Sequence, residues 1–298
     1  MNTTIVIPTY NEAENIELLI RQILELHPDF NIIVVDDNSP DGTGKIADIL
    51  AEKDTRISVI HRLKKLGLGP AYVEGFKKAL ADGADLIFEM DADFSHNPLY
   101  LQHFIEASKS ADLVIGSRYV NGVRVEGWRF RRLLMSKLAN MYVSYITAEP
   151  LWDFTAGFRC YRRHVLERLD LNGVESDGYA FQIEMAHLAF QHGFKVVEIP
   201  ITFRERVNGI SKISGNVIWE AFWLTLKYHA PFRVMLKRLS YLFKDYNQFV
   251  EDQSNSNQYG RHWVIIEDQN NSNQSGYRLV IAPSSPNTKT QDVSKTKK

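Results

Sequence analysis

The sequence predicts an α/β fold: a mostly parallel sheet flanked by helices, followed by a C-terminal helical segment and a flexible tail. Three observations predict it. Short β-branched runs alternate with helix-period segments over the first 120 residues, the pattern of βαβ units. The runs are apolar throughout, as expected for strands covered on both faces. Polar segments follow several runs directly, and open parallel sheets bind ligands at those strand ends.

Taken in order, strands are expected at Thr4–Ile7, Asn31–Val35, Arg56–Ile60, Asp85–Glu89 and Leu113–Gly116. Helical patterns lie between them at about Glu12–Leu26, Gly44–Lys53, Gly69–Ala81 and Leu99–Ser110. Asn11 with Glu14 three residues later resembles a capping box. Asn97 before Pro98 is an N-cap with proline at the first helical position. From about 124 to 230 the pattern turns mainly helical, with strand-like pieces at Phe158–Tyr161 and Val196–Ile199. This half is expected to complete one domain over residues 1–230.

Residues 213–244 are rich in Trp, Phe, Leu, Tyr and Lys/Arg and are broken by Pro231. The stretch 231–250 reads as an amphipathic segment lying on a membrane surface, against the competing reading of a helix packed on the core. Over 251–298 the composition shifts to Asn, Gln and Ser and ends in lysines at Lys295–Lys298. That tail is expected to be flexible, with Trp263–Ile266 and Tyr277–Ile281 placed to pair as a short hairpin.

Composition sets limits on function. At 298 residues, 44% hydrophobic and 24% charged, the chain is ordinary for a soluble globular protein. A formal net charge of −1 gives no general electrostatic case for nucleic-acid binding. Cys160 is the only cysteine, so no intrachain disulfide and no cysteine metal site can form. A reducing, cytoplasmic location is expected, without signal peptide or membrane span. Any membrane contact is therefore expected to be peripheral, at the cytoplasmic face.

The chemistry concentrates at strand ends. Asp91 and Asp93 end an apolar strand, with a spacing that points both side chains the same way. Paired carboxylates repel each other unless a cation sits between them. Mg²⁺ or Mn²⁺ suits such a pair, because these hard ions take one or two carboxylates plus substrate phosphates and water. The plain alternative is two solvated acids in a loop. Two further strand ends weigh against it: Pro8-Thr9-Tyr10-Asn11-Glu12 and the Gly-containing turn from Asp36-Asp37 to Thr43. Acids there are placed to accept from ribose hydroxyls and base N–H groups, with Tyr10 packing against the base.

Those segments, with Gly67-Leu68-Gly69, Met90–His96 and Gly116-Ser117-Arg118-Tyr119, resemble the motif series of the dolichol-phosphate (polyprenol-phosphate) mannose synthases. These are inverting glycosyltransferases of family 2 with the Rossmann-like GT-A fold. The resemblance runs over roughly residues 3–230. It implies a nucleotide-sugar donor (GDP-mannose most often), a Mg²⁺ or Mn²⁺ ion and a polyprenyl monophosphate acceptor. By the same resemblance Pro8, Tyr10, Glu12 and Asp37 line the nucleotide pocket, and Asp91 and Asp93 ligate the metal, with Ala92 between them on the donor. Some members carry Gln as a further ligand two residues after the second Asp; this chain has Ser95 there.

Basic residues frame the acceptor question. Arg118 follows a strand, Arg132 and Ser136 are four apart on one helix face, and Arg206 and Lys212 lie in one polar stretch. Arginine forks and lysine point charges suit a phosphate monoester, though each cation alone reads more readily as a surface charge. The resemblance implies that Arg118, Arg132 and Ser136 hold the acceptor phosphate and that Arg206 and Lys212 serve the donor. Asp91, Asp93 and Arg118 are then the catalytic set, with no general base needed.

Rival classes are weaker. A dinucleotide fingerprint fails because Pro8–Asn15 contains no glycine, and a phosphate-binding loop fails because Gly44-Lys45 is followed by Ile46. Three alternatives stay open: a family 2 transferase using UDP-glucose, one with another acceptor, and a non-catalytic sugar-nucleotide-binding protein.

Overall fold

A computed structural model describes residues 1–174 and 176–205, together with the backbone of 262–268 and 276–282. The strands are β1 (Thr3–Thr9), β2 (Phe30–Asp36), β3 (Ile57–His61), β4 (Leu86–Glu89), β5 (Leu113–Ser117), β6 (Val125–Glu126), β7 (Arg159–Arg162), β8 (Val196–Pro200) and β9 (Phe203–Arg204). The helices are α1 (Ile16–Leu26), α2 (Thr43–Lys53), α3 (Leu68–Ala81), α4 (Leu101–Ser108), α5 (Phe130–Thr147), α6 (Arg163–Arg168) and α7 (Gly178–Gln191). Seven strands form one sheet in the order β3-β2-β1-β4-β7-β5-β8. The order reverses between β1 and β4, and polar loops leave both strands at that switch point.

Alternation along the strands explains the two covered faces. In β1, Ile5 and Ile7 join α1, α2 and α4 in one core cluster, while Val6 joins α3, α6 and α7 in the other. The same division runs through β2, where Ile32 and Val34 face one layer and Ile33 and Val35 the other. Gly75 of α3 lets the helix close on the sheet, because a Cβ there would lie 2.2 Å from Val6 Cγ1.

Two features depart from the sequence reading. The capping box does not form: Asn11 takes a left-handed backbone (φ 60°) and α1 begins only at Ile16, with no side-chain cap from Asn15. Tertiary hydrogen bonds hold residues 11–13 out of the helix, with Glu12 N–H donating to Thr43 Oγ1 (2.9 Å) and Ala13 N–H to Asp41 Oδ2 (3.0 Å). The second departure is β7, which runs antiparallel between β4 and β5. At Asn97 the expected cap is present, its side chain accepting from Leu99 N–H at 3.0 Å.

The chain divides into two units, Met1–Arg238 and Leu239–Lys298. Within the second, β10 (His262–Asp268) pairs antiparallel with β11 (Gly276–Ala282), from His262 opposite Ala282 to Asp268 opposite Gly276. The segment 231–250 lies outside the described residues, as does the rest of the tail. No helix among the described residues is long and apolar enough to cross a membrane.

Candidate active site

The loops after β1, β2 and β4 open onto a cleft of about 500 Å³. Pro8, Tyr10, Glu12, Asp37, Asp91, Ala92, Asp93, Arg118 and Arg132 all line it. Arg206 and Lys212 lie outside the described residues.

On the floor, Asp91 Oδ1 accepts from the Tyr72 hydroxyl at 3.2 Å. Burial lifts the Tyr72 phenol well above its ordinary range, and the Asp91 charge adds to this, so Tyr72 stays a donor. The Asp91 backbone N–H donates to His96 Nδ1 at 3.0 Å. That fixes the ring proton on Nε2, which lies 3.9 Å from Asp91 Oδ2. Asp93 is buried, and its Oδ1 accepts from Ser95 N–H at 3.0 Å across a turn in which Phe94 has φ 62°. A bulky residue in the left-handed region is uncommon and marks a turn held by its surroundings.

Residues here fit a divalent cation. Ser95 Oγ, on the cleft wall beside Asp93, is buried without a hydrogen-bond partner among the described residues. No group of three or more His, Cys, Asp or Glu forms among the described residues. The protein therefore offers a carboxylate pair and a hydroxyl, leaving the remaining positions for phosphate and water. That donor set suits Mg²⁺ or Mn²⁺ better than Zn²⁺.

Asp37 has a structural task in addition to its place on the wall. Its Oδ1 accepts from Arg62 (2.6 Å), and its Oδ2 accepts weakly from the N–H groups of Leu66 (3.3 Å) and Gly67 (3.4 Å). Arg62 is buried and also donates to Gly67 O at 3.1 Å. The loop so fixed puts Lys65 Nζ 4.0 Å from the centre of the Tyr10 ring. Gly67 has φ +105°, and a Cβ there would meet Asp177 Oδ2 at 2.3 Å; Asp177 in turn accepts from Gly69 N–H at 2.9 Å.

Arg118 and Arg132 line the same cleft. Arg118 is gripped by Asp153 through Nε (2.7 Å), Nη2 (2.6 Å) and the backbone N–H (2.9 Å). Both residues are buried, and the Asp153 charge holds the guanidinium protonated against its burial. Nη1 of Arg118 makes no hydrogen bond among the described residues. Glu198 fixes Asp153 in turn, accepting the N–H groups of Trp152 (2.8 Å) and Asp153 (2.9 Å). Burial pushes the Glu198 carboxyl up to about 7. Arg132 lies 4.1 Å over the Trp128 ring and pairs with Glu205. Ser136 does not line the cleft; its Oγ accepts from Tyr119 OH at 2.7 Å.

Several residues escape the sequence reading: Lys65, Asp177, Gln182 and Glu205, which line the cleft, and Arg62, which holds Asp37 behind it. Lys65 belongs to the basic run Arg62–Lys65 and reads as surface charge. Asp177 precedes a helix and reads as a cap. Gln182 is tied to Glu89, an acid inside the apolar strand β4, by a 2.7 Å bond. An acid at that point was the one signal available. Asp153 braces Arg118, and Glu184 does not line the cleft.

A mostly parallel sheet with a switch-point cleft, lined by a carboxylate pair and by arginines, is an architecture of the GT-A kind. Residues 4–170 match the family described as Glycosyl transferase family 2, and the chain belongs to that family. It is 50% identical over 223 residues to polyprenol monophosphomannose synthase of Mycolicibacterium smegmatis, covering 74% of this chain and 84% of that one. It is 44% identical over 221 residues to undecaprenyl-phosphate mannosyltransferase of Micrococcus luteus, covering 74% and 91%. Among solved structures it resembles glucosyl-3-phosphoglycerate synthase of Mycobacterium tuberculosis, crystallised with Mn²⁺, uridine diphosphate and phosphoglyceric acid. That likeness has a TM-score of 0.59 at 19% identity, over 76% of this chain and 78% of the other, and shows the fold.

Proposed function

We propose that the protein transfers mannose from GDP-mannose to a polyprenyl monophosphate, with inversion at the anomeric carbon. The observation that carries this reading is the charge content of one cleft, which Asp91 and Asp93 line together with Arg118 and Arg132. The names of the two bacterial relatives, at 50% and 44% identity, support the acceptor and the sugar.

In this reading Pro8, Tyr10, Glu12, Asp37 and Ala92 frame the nucleotide, and Arg206 and Lys212 attend its diphosphate. Asp91 and Asp93 hold Mg²⁺ or Mn²⁺. When bound, that ion neutralises charge on the departing diphosphate. Arg118 and Arg132 hold the acceptor phosphate, and Ser136 works through Tyr119. A phosphate oxygen is already ionised at neutral pH, so the chain needs only to align it with the anomeric carbon.

The lipid approaches along α5. Phe130, Met135 and Leu138 of that helix are 40%, 57% and 37% exposed, and Arg129 and Arg131 beside them are exposed too. Apolar and basic side chains on one exposed helix suit the surface of an anionic membrane, consistent with peripheral contact at its cytoplasmic face.

The test offers purified protein a polyprenyl phosphate and Mg²⁺ with GDP-mannose, UDP-glucose and UDP-GlcNAc in separate reactions. Labelled lipid is expected from GDP-mannose. Transfer from a uridine nucleotide alone would reassign the donor, and transfer from none would end the enzyme reading.

A further inference from the structure

The acceptor wall holds two arginines, and among the described residues each already has a carboxylate. Arg118 faces Asp153 and Arg132 faces Glu205. As described, these pairs are close to electrically neutral, which is poor preparation for a phosphate dianion. One carboxylate has to yield. Asp153 is wholly buried and makes a forked pair, with two backbone N–H groups of its loop pinned by Glu198. Glu205 is the opposite case. Its side chain is 39% exposed, it meets Arg132 through a single oxygen, and it lines the cleft.

Its position is nonetheless built. Glu205 N–H donates to Glu126 O at 3.1 Å, continuing the pairing of β6 with β9. Gly127, at φ +84°, would bring a Cβ within 3.1 Å of Glu205 Cβ, so a larger residue at 127 would crowd it. The guanidinium it meets is held from the other side by the Trp128 ring. Glu205 thus presents a carboxylate to Arg132 from a fixed backbone by a side chain free to swing away.

We propose that Glu205 is a resident anion of the acceptor site. It occupies Arg132 in the empty enzyme, yields to the incoming phosphate monoester, and returns once transfer has made that monoester a diester. This rests on the phosphate-acceptor reading above. In the reaction a bond forms between a phosphate oxygen and the anomeric carbon, and the bond from that carbon to the diphosphate oxygen breaks with its electron pair. One negative charge therefore leaves the lipid phosphate and appears on the nucleoside diphosphate. The monoester carries about −1.5 to −2 charges at pH 7 and outcompetes a carboxylate. The diester carries one, the same as Glu205, which has the advantage of being tethered. The cost of displacing Glu205 falls on both ligands, and it leaves the singly charged product weakly held.

Titrations of the full chain with two soluble probes test this: farnesyl phosphate, a monoester, and its methyl diester. Glu205→Gln is expected to bind both about two- to fivefold tighter, the size of a partly exposed ion pair. Glu205→Ala should do the same, and added salt should narrow the difference from wild type. The reaction product should inhibit Glu205→Gln at correspondingly lower concentration. Weaker or unchanged binding in both variants would overturn the proposal, since Glu205 would then be orienting Arg132. If Arg132→Ala binds farnesyl phosphate as well as wild type does, the acceptor reading itself falls and takes the proposal with it.

Discussion

Asp93→Asn is expected to lower kcat/KM for sugar transfer by about a thousandfold, or roughly 4 kcal/mol of transition-state stabilisation. The substitution keeps an oxygen to accept from Ser95 N–H, a bond of 3.0 Å in the structure, so the turn through Phe94 survives. What it removes is charge on the cleft wall. Asp91→Asn should behave alike, because the Tyr72 hydroxyl can still donate to the remaining oxygen. Thermal unfolding in the absence of ligand is expected to change little, while titration with Mn²⁺ and GDP should show weaker binding. Wild-type turnover in either variant would place the metal elsewhere or remove it from the reaction.

Asp153→Ala has the largest expected effect on stability and also lowers activity. It strands Arg118, whose side chain is only 5% exposed and donates two hydrogen bonds to that carboxylate. Breaking a buried ion pair by removing one partner costs about 3–5 kcal/mol. Chemical denaturation should show that loss, and KM for the polyprenyl phosphate should rise as the guanidinium loses its aim. Asp153→Asn should lose less stability because it retains hydrogen-bonding capacity toward Arg118. Unchanged stability in Asp153→Ala would mean that Arg118 has another partner in solution.

The parts of this site legible in the sequence were those that sit at strand ends. An apolar run that stops at Asp91-Ala92-Asp93, or at Asp36-Asp37, announces both the strand and the polar loop after it, because the sheet needs the first and the cleft the second. Pairings across the chain were not legible. Arg118 and Asp153 are 35 residues apart and Arg132 and Glu205 are 73 apart, so neither spacing carries a local signal. The same limit hides the place and direction of β7: a strand is expected at Phe158–Tyr161, but its antiparallel position between β4 and β5 has no local signal. At Asn11 a strong local signal was overridden, because hydrogen bonds to Thr43 and Asp41 hold the following residues in a turn. Propensity there yields to the loop that shapes the cleft.

Direct displacement by a phosphate oxygen on a nucleotide sugar fixes the stereochemistry of the product. The anomeric configuration of the lipid product is read by NMR after reaction of GDP-α-mannose with a short polyprenyl phosphate. A β-mannosyl phosphate is expected, formed in a single displacement with inversion. An α-linked product would contradict it, because retention requires a second displacement or a different face of attack.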